Sequence, residues 1–306
     1  MARVEFGLSL SSMSTIPPFA RSAEAMGFDY LTCGEHLMFH GPIGNSLVAL
    51  AAAAAVTENI KLMSTIVLVP LYGSAAMLAK QTAVLDVISR GRYHFGIGVG
   101  GEFPREFEAA GVPVSERGPR TNEALEVITR LWTEKKVSFS GRFSNFREVT
   151  IDPPPVQKPH PPIWVAGRQE SAMRRAAKYA QGWLPYMYTP EQLAGSIEKI
   201  RRFGREYGRD LSGFNNGLFI FTSVYRDRDR AREIAARQVG RNYAQDFSQK
   251  AGRYLLFGTP QDCVNRLNEY VAAGARTVVI ANACPREDLD ENLKLIAEEI
   301  LPAFRS

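Results

Sequence analysis

The chain has 306 residues, a length that fits one large α/β barrel or two smaller domains, and a 45% hydrophobic content that suffices for a full core. Its 37 Lys and Arg against 32 Asp and Glu leave a formal net charge of +5, mixed in sign along the whole sequence. That pattern is a solvated surface and argues against a nucleic-acid partner, while a modest basic excess suits an anionic cofactor.

Strand-like and helix-like segments alternate from the start, the pattern of repeated βα units on a parallel sheet. A strand over Val4 to Ser9 is followed by a helix over Ile16 to Met26, which Gly27 stops. FDYLTCG then forms a strand running into Glu35 and His36. The run LVALAAAAAV, 47 to 56, is too short to span a membrane and reads as a buried helix. NIKLMSTIVLVP is nearly all apolar, as a strand buried on both faces must be, and Pro70 ends it. A helix from Ser74 to Ser89 leads to the strand RYHFGIGV, and a non-regular piece with Pro104, Gly111 and Pro113 precedes a helix over Gly118 to Thr133.

VSFSGRFSNFREV alternates about Gly141 as a β-hairpin does. DPPPVQKPHPPIW, 152 to 164, holds six prolines and reads as a stiff surface connector, although such a run also resembles a domain linker or an SH3 ligand. Strands IWVAG, GWLPYM, LFIFTSVY and TVVIAN follow. Their helices in turn begin near Gln169, span Pro190 to Tyr207, begin at Arg230 and span Asp288 to Leu301, and another spans Pro260 to Ala273. Four units before the hairpin and four after the connector predict the fold class α/β: a (β/α)8 TIM barrel as a single domain over 1–306, with an insertion at about 135–161. An open doubly wound sheet is the competing topology. MARVEFGLSL offers no signal peptide, and Cys33, Cys263 and Cys284 follow no metal or redox spacing, so a cytoplasmic protein with reduced thiols and no metal is expected.

Gly96-x-Gly98-x-x-Gly101 matches a dinucleotide fingerprint. That motif needs a helix under its last glycine and an acidic residue about 20 positions on, at a strand end. Here Pro104 interrupts, and the position lies inside a helix. In a barrel the same glycines turn the chain at the active-site face, or let a flat group approach the backbone. The strand ends then carry the chemistry: Ser9, the Glu35–His36–His40 segment, Val67 to Pro70, Glu102, and Gly167 with Arg168. His36 and Glu102 make a usable acid/base pair, although a histidine so placed is as often structural. His94, inside a strand among aromatic residues, reads as packing. Gly167, Arg168 and Ser171 at a helix start attract phosphate, with Arg174 and Arg175 either assisting or simply solvated.

GFDYLTCGEH (27–36), LAKQTAVLDVISRGRYHFGIGVGGEF (78–103), RTNEALEVITRLWTEKKVSFSGRF (120–143), KPHPPIWVAGRQESAMRRAAKYAQGWLP (158–185) and FGTPQDCVNRLNEYVAAGARTVVI (257–280) together resemble the bacterial luciferase-like superfamily of flavin- and coenzyme F420-dependent oxidoreductases, nearly end to end. The resemblance implies an F420 or FMN ring at the barrel mouth, with F420 preferred, and hydride transfer to or from a small organic substrate. It implies His36 beside that ring, Glu102 as proton donor, and a non-prolyl cis peptide at Ile66 and Val67. Gly100 and Gly101 would lie against the ring, and Gly167, Arg168 and Ser171 on the cofactor phosphate. Ser9 and His40 would line the substrate pocket, His40 standing where relatives carry a stacking tryptophan. A homodimer is implied, with no nucleic-acid or membrane partner. The rival readings are an FMNH2-dependent monooxygenase, a non-catalytic flavin or deazaflavin carrier, and an NAD dehydrogenase.

Overall fold

The computed structural model describes residues 3–305. Eight parallel strands follow one another around a closed barrel: β1 (Glu5–Ser9), β2 (Tyr30–Cys33), β3 (Lys61–Ser64), β4 (Tyr93–Gly98), β5 (Ile163–Ala166), β6 (Gly182–Leu184), β7 (Asn215–Val224) and β8 (Thr277–Asn282). β8 pairs with β1 at Phe6↔Val278, which removes the sheet edges and settles the competition with the open sheet. All eight strands are those expected from the sequence.

Strand period sorts the side chains into two cores. On β1, Phe6 and Leu8 are fully buried against the helices. Gly7 faces the barrel interior, where a Cβ would meet Tyr30 and Val279 at 3.2 Å. Tyr30, Met63, Trp164, Leu184 and Val279 fill that interior. At the strand starts Lys61 Nζ pairs with Glu5 at 2.5 Å and Tyr30 Oη donates to Glu5 at 3.1 Å, so the lower end is plugged by a satisfied polar group. Within the barrel, the strand ends opposite this plug are the side left for a site.

The outer layer comprises α1 (Ile16–Ala25), α2 (Ser46–Ala54), α3 (Ala75–Ile88), a short α4 (Pro104–Ala109), α5 (Arg117–Thr133), α6 (Glu170–Tyr179), α7 (Pro190–Glu206), α8 (Arg228–Tyr243), a single turn α9 (Ala251–Tyr254), α10 (Pro260–Ala272) and α11 (Leu289–Leu295). Their starts are written in the sequence. Thr189 and Thr259, each followed by proline, form capping boxes with Gln192 and Asp262, and Ser74 and Asp227 accept from the N–H three residues on. Trp132 on α5 donates to the Ala79 carbonyl of α3 at 3.0 Å, locking the fourth unit onto the third. Between them and β5, strands Val137–Ser140 and Asn145–Val149 form the expected antiparallel hairpin, and the proline connector runs without regular structure.

Four local expectations change. The piece containing Pro104 holds α4, because proline is tolerated in a first helical turn, where its missing N–H has no partner to lose. The third strand is not continuous: after Ser64 the chain kinks, with the non-prolyl cis peptide at Thr65–Ile66, one bond before the expected Ile66–Val67, and Val67–Leu68 resumes pairing against β4. A short strand, Leu256–Gly258, extends the sheet beside β7. The last helix stops at Leu295 and continues as a π turn over Ile296–Ile300 and a 3-10 turn over Leu301–Phe304. Among the described residues no helix is long and apolar enough to cross a membrane. The first two residues of the MARVEFGLSL stretch lie outside the described residues.

Candidate active site

The end of β2 is built on two carboxylates with different tasks. Glu35, 6% exposed, accepts from Ser46 N and Oγ at 3.1 and 3.0 Å, from Leu68 N at 3.0 Å and from Tyr72 Oη at 3.1 Å. It therefore ties β2 to the start of α2 and to the resumed third strand. Burial raises its proton affinity, while these four donors act in the opposite sense. Glu35 is a strut, and its next neighbour carries the chemistry.

His36 is 17% exposed at its side chain, and its Nδ1 lies 3.1 Å from both oxygens of Glu106, whose side chain is fully buried on α4. Glu106 Oε1 also accepts from Leu37 N at 2.7 Å and Met38 N at 3.2 Å. Two backbone N–H groups and the imidazole aim donors at one carboxylate, so Nδ1 carries the proton and Nε2 is left for chemistry. The carboxylate on His36 is thus Glu106, not Glu102. Glu102 is exposed and receives the Tyr186 hydroxyl instead. Burial, with Glu102 beside it, pushes the Tyr186 phenol above its ordinary range and keeps it a donor.

The glycines of β4 answer to the third strand. A Cβ on Gly96 would sit 1.9 Å from the Ser64 carbonyl oxygen, and one on Gly98 would sit 1.8 Å from Ile66 Cδ1. They make room for the kinked backbone and its isoleucine. Val67 is fully buried in the outer core, so of the pair expected near a ring only Ile66 is partly open to the mouth. Gly100 and Gly101 follow at φ +62° and +113°, a region that favours glycine, and a Cβ on Gly101 would lie 3.0 Å from Arg117 Nε.

Across the mouth Gly167 turns at φ +123°, with its carbonyl accepting from Trp183 Nε1 at 2.9 Å. Arg168 is exposed, and its guanidinium lies 4.9 Å from the Tyr186 ring centre. Ser171 is exposed in the first turn of α6. Arg174 is engaged at the surface by Glu170 and Glu206, whereas Arg175 is 6% exposed and donates to Asn122 Oδ1 at 2.8 Å. Arg117 escaped the sequence reading because its neighbour Gly101 lies on another element, whereas Arg175, expected either to assist at a phosphate or to be solvated, is buried against α5. Ser9 is half-buried at the end of β1, opposite Thr32, and His40 packs edge-on to Phe103 at 5.0 Å. His94 is a packing residue: it accepts from Trp164 Nε1 at 3.1 Å, and burial pulls its pKa down to about 3. Among the described residues no group of three or more His, Cys, Asp or Glu is placed to hold a metal ion.

Comparison with known proteins gives a consistent set. Residues 5–277 match the family model for luciferase-like monooxygenases. An F420-dependent glucose-6-phosphate dehydrogenase of Microbacterium testaceum is 28% identical over 99% of this chain and 98% of its own. An FMNH2-dependent dimethylsulfone monooxygenase of Pseudomonas putida is 30% identical over 72% of this chain and 61% of its own. Among solved structures, a monooxygenase from Streptomyces bottropensis superposes with a TM-score of 0.86 at 26% identity, covering 97% of this chain and 99% of its own.

Proposed function

Because the chain belongs to the luciferase-like monooxygenase family, we propose that it is an F420-dependent oxidoreductase acting on a small organic substrate. The observation that carries this reading is the His36–Glu106 pair, an oriented imidazole held at the barrel mouth by a fully buried carboxylate. The preference for F420 rests on the glucose-6-phosphate dehydrogenase relative, which matches along both whole chains.

The residues fit a flat, phosphate-bearing cofactor. The β4 end is made of glycines, so the wall it offers a ring is backbone together with the Ile66 side chain packed against Gly98. The positive φ of Gly167, the exposed Arg168 and Ser171, and the start of the ten-residue α6 suit an anionic tail. Bound there, the deazaflavin supplies hydride chemistry at one carbon of its ring. The protein does the rest. Glu106 fixes the His36 tautomer, and His36 Nε2 takes the proton from, or returns it to, the substrate oxygen whose carbon exchanges hydride. Glu102, bonded to Tyr186, acts as the second acid or base. Phe39, stacked on the His36 ring at 4.7 Å, and Phe103, edge-on to it at 5.7 Å, limit water at that point.

The same residues would serve reduced FMN, and the dimethylsulfone monooxygenase relative favours that second reading. Titrating the protein with F420, FMN and NADPH while following cofactor fluorescence separates the cases. Saturable F420 binding is expected, and tight FMN binding with no F420 response would overturn the assignment. We propose further that the protein pairs with a second copy through α2 and α3. α2 has no charged residue, and Val48 and Met77 are exposed at 72% and 59%. Sedimentation should show a dimer that Val48→Asp weakens; a monomer at every concentration would refute the pairing.

A further inference from the structure

The mouth has two unlike halves. At the ends of β4 and β5 the chain is glycine and alanine, namely Gly98, Gly100, Gly101, Ala166 and Gly167, with the Ile66 side chain of the third strand filling the space beside Gly98. On the opposite side the strand and helix ends carry rings. Phe39, after β2, lies 5.1 Å from Phe103 and 5.8 Å from Tyr243 at the end of α8, and Tyr243 lies 5.8 Å from Phe221 on β7. His40 closes on Phe103 at 5.0 Å. The interplanar angles of these four contacts run 63°, 85°, 88° and 68°, an edge-to-face set that links loops from β2 and β4 to β7 and α8.

These rings are not a finished core. On β7 the outward Leu218 and Ile220 are fully shielded, whereas the alternate Phe219 and Phe221 are only half-buried. The inner face of a closed barrel strand is less covered than its outer face only where the barrel is open above it. Phe39, Phe103 and Tyr243 are likewise half-buried. Charge is sparse on this side. Among the described residues no Lys or Arg lies over the ring of Phe39, Phe103, Phe221 or Tyr243; Arg168 stacks on Tyr186, whose hydroxyl is already bonded to Glu102, and Arg117, beside Gly101, donates to the Val114 carbonyl at 2.8 Å. A phosphorylated sugar needs free, convergent cations and several side chains for its hydroxyls. The Tyr243 hydroxyl makes no hydrogen bond within the described protein, and burial keeps it a donor by pushing its pKa above the ordinary range.

We propose that this half of the mouth binds a flat, uncharged aromatic substrate that carries a carbonyl or hydroxyl group, with the Phe39, Phe103, Phe221 and Tyr243 rings flanking its faces and edges and the Tyr243 hydroxyl donating to its oxygen. It rests on the oxidoreductase reading above and adds the substrate class. A glucose-6-phosphate-like substrate is excluded by it, in contrast to the dehydrogenase relative.

The test measures ligand binding by saturation-transfer NMR and does not depend on turnover. The probes are 2-acetylnaphthalene, naphthalene, decanal and glucose 6-phosphate, each with and without saturating F420. The expected result is binding of 2-acetylnaphthalene about tenfold tighter than decanal, with no saturable glucose 6-phosphate signal. Phe39→Ala should weaken 2-acetylnaphthalene about tenfold with the F420 affinity unchanged, and Tyr243→Phe should weaken it while leaving naphthalene unaffected. Glucose 6-phosphate binding more tightly than the ketone, or a Phe39→Ala protein with unaltered ketone affinity, overturns the proposal. If F420 fails to bind while the ketone still does, the cofactor assignment falls and the substrate class stands.

Discussion

Replacing Glu106 by Gln tests the centre of the site with the smallest change of shape. Both backbone donors, Leu37 N and Met38 N, bond to Oε1, and His36 Nδ1 lies 3.1 Å from Oε1 and Oε2 alike. A glutamine can keep its carbonyl oxygen on the two N–H groups, which take both of its lone pairs, so its NH2 must then occupy the Oε2 position and confront Nδ1. Two donors cannot share that contact, and the imidazole proton moves to Nε2. The stability cost is the exchange of one charge-assisted bond for a neutral one, about 1 kcal/mol, or a fall in Tm of roughly 2 °C for a chain this long. The catalytic cost is far larger: an Nε2 that bears a proton cannot accept one, which removes a contribution of about 10²- to 10⁴-fold in kcat. F420 affinity should hold. The nitrogen shifts of the four labelled histidines report the tautomer directly and independently of turnover. A Glu106→Gln protein whose His36 keeps Nδ1–H, or which turns over within a few-fold of the parent, would refute the reasoning. Glu106→Ala serves as contrast: it strands three donors and should cost about 3 kcal/mol or more in urea unfolding.

Two further outcomes follow from the packing of β4. Gly96→Ala drives a Cβ into the Ser64 carbonyl, which is backbone and cannot turn aside, so the chemical-denaturation midpoint should drop by about 3 kcal/mol of stability; Gly98→Ala meets only the end of the Ile66 side chain, should cost roughly 1 kcal/mol, and should weaken the cofactor by pushing that isoleucine into the mouth. Equal stabilities for the two variants would contradict the assignment of backbone to one contact and side chain to the other. His94 sets a pH dependence. Its folded pKa of about 3 lies below an unfolded value of about 6.5, so the unfolded chain binds the extra proton and stability is lost as pH falls below about 6.5 toward 3. The stability difference between the parent and His94→Gln, measured by urea unfolding from pH 7 to 4.5, should change by about 1.4 kcal/mol per pH unit below 6; a flat difference would mean that His94 is charged in the fold.

The barrel was legible because its signals are local and repeated. Eight apolar runs bounded by turns, and caps of the form Thr-Pro-x-Gln and Thr-Pro-x-Asp, each fix one element without reference to the rest. The departures arise where a short element obeys a rule with an exception. Pro104 reads as a breaker in a sequence, yet it starts α4, and that one misjudgement hid Glu106, because a glutamate in a supposedly irregular polar stretch has no reason to be buried. Phe107 was the available signal: a large apolar residue in the polar stretch that Pro104 opens asks for a core contact, and the structure buries it fully beside Glu106. Arg117 offered no comparable signal, since its neighbour Gly101 lies on another element, and the Asn122 contact that buries Arg175 is equally remote in the chain.

The site itself is assembled from contacts that no local pattern contains. His36 and Glu106 are 70 residues apart, as are Trp164 and His94, while Tyr186 and Glu102 are 84 apart. What brings the first pair together is the strand between them. β2 and β4 flank β3, and β3 can kink toward β4 only because Gly96 and Gly98 leave the space. The kink presents Leu68 N to Glu35, which fixes the backbone immediately before His36, while α4 brings Glu106 down onto its ring from the other side. The glycines that imitate a dinucleotide fingerprint thus act on the histidine at one remove: they shape the third strand, the third strand holds Glu35, and Glu35 sets the base of the loop on which His36 stands.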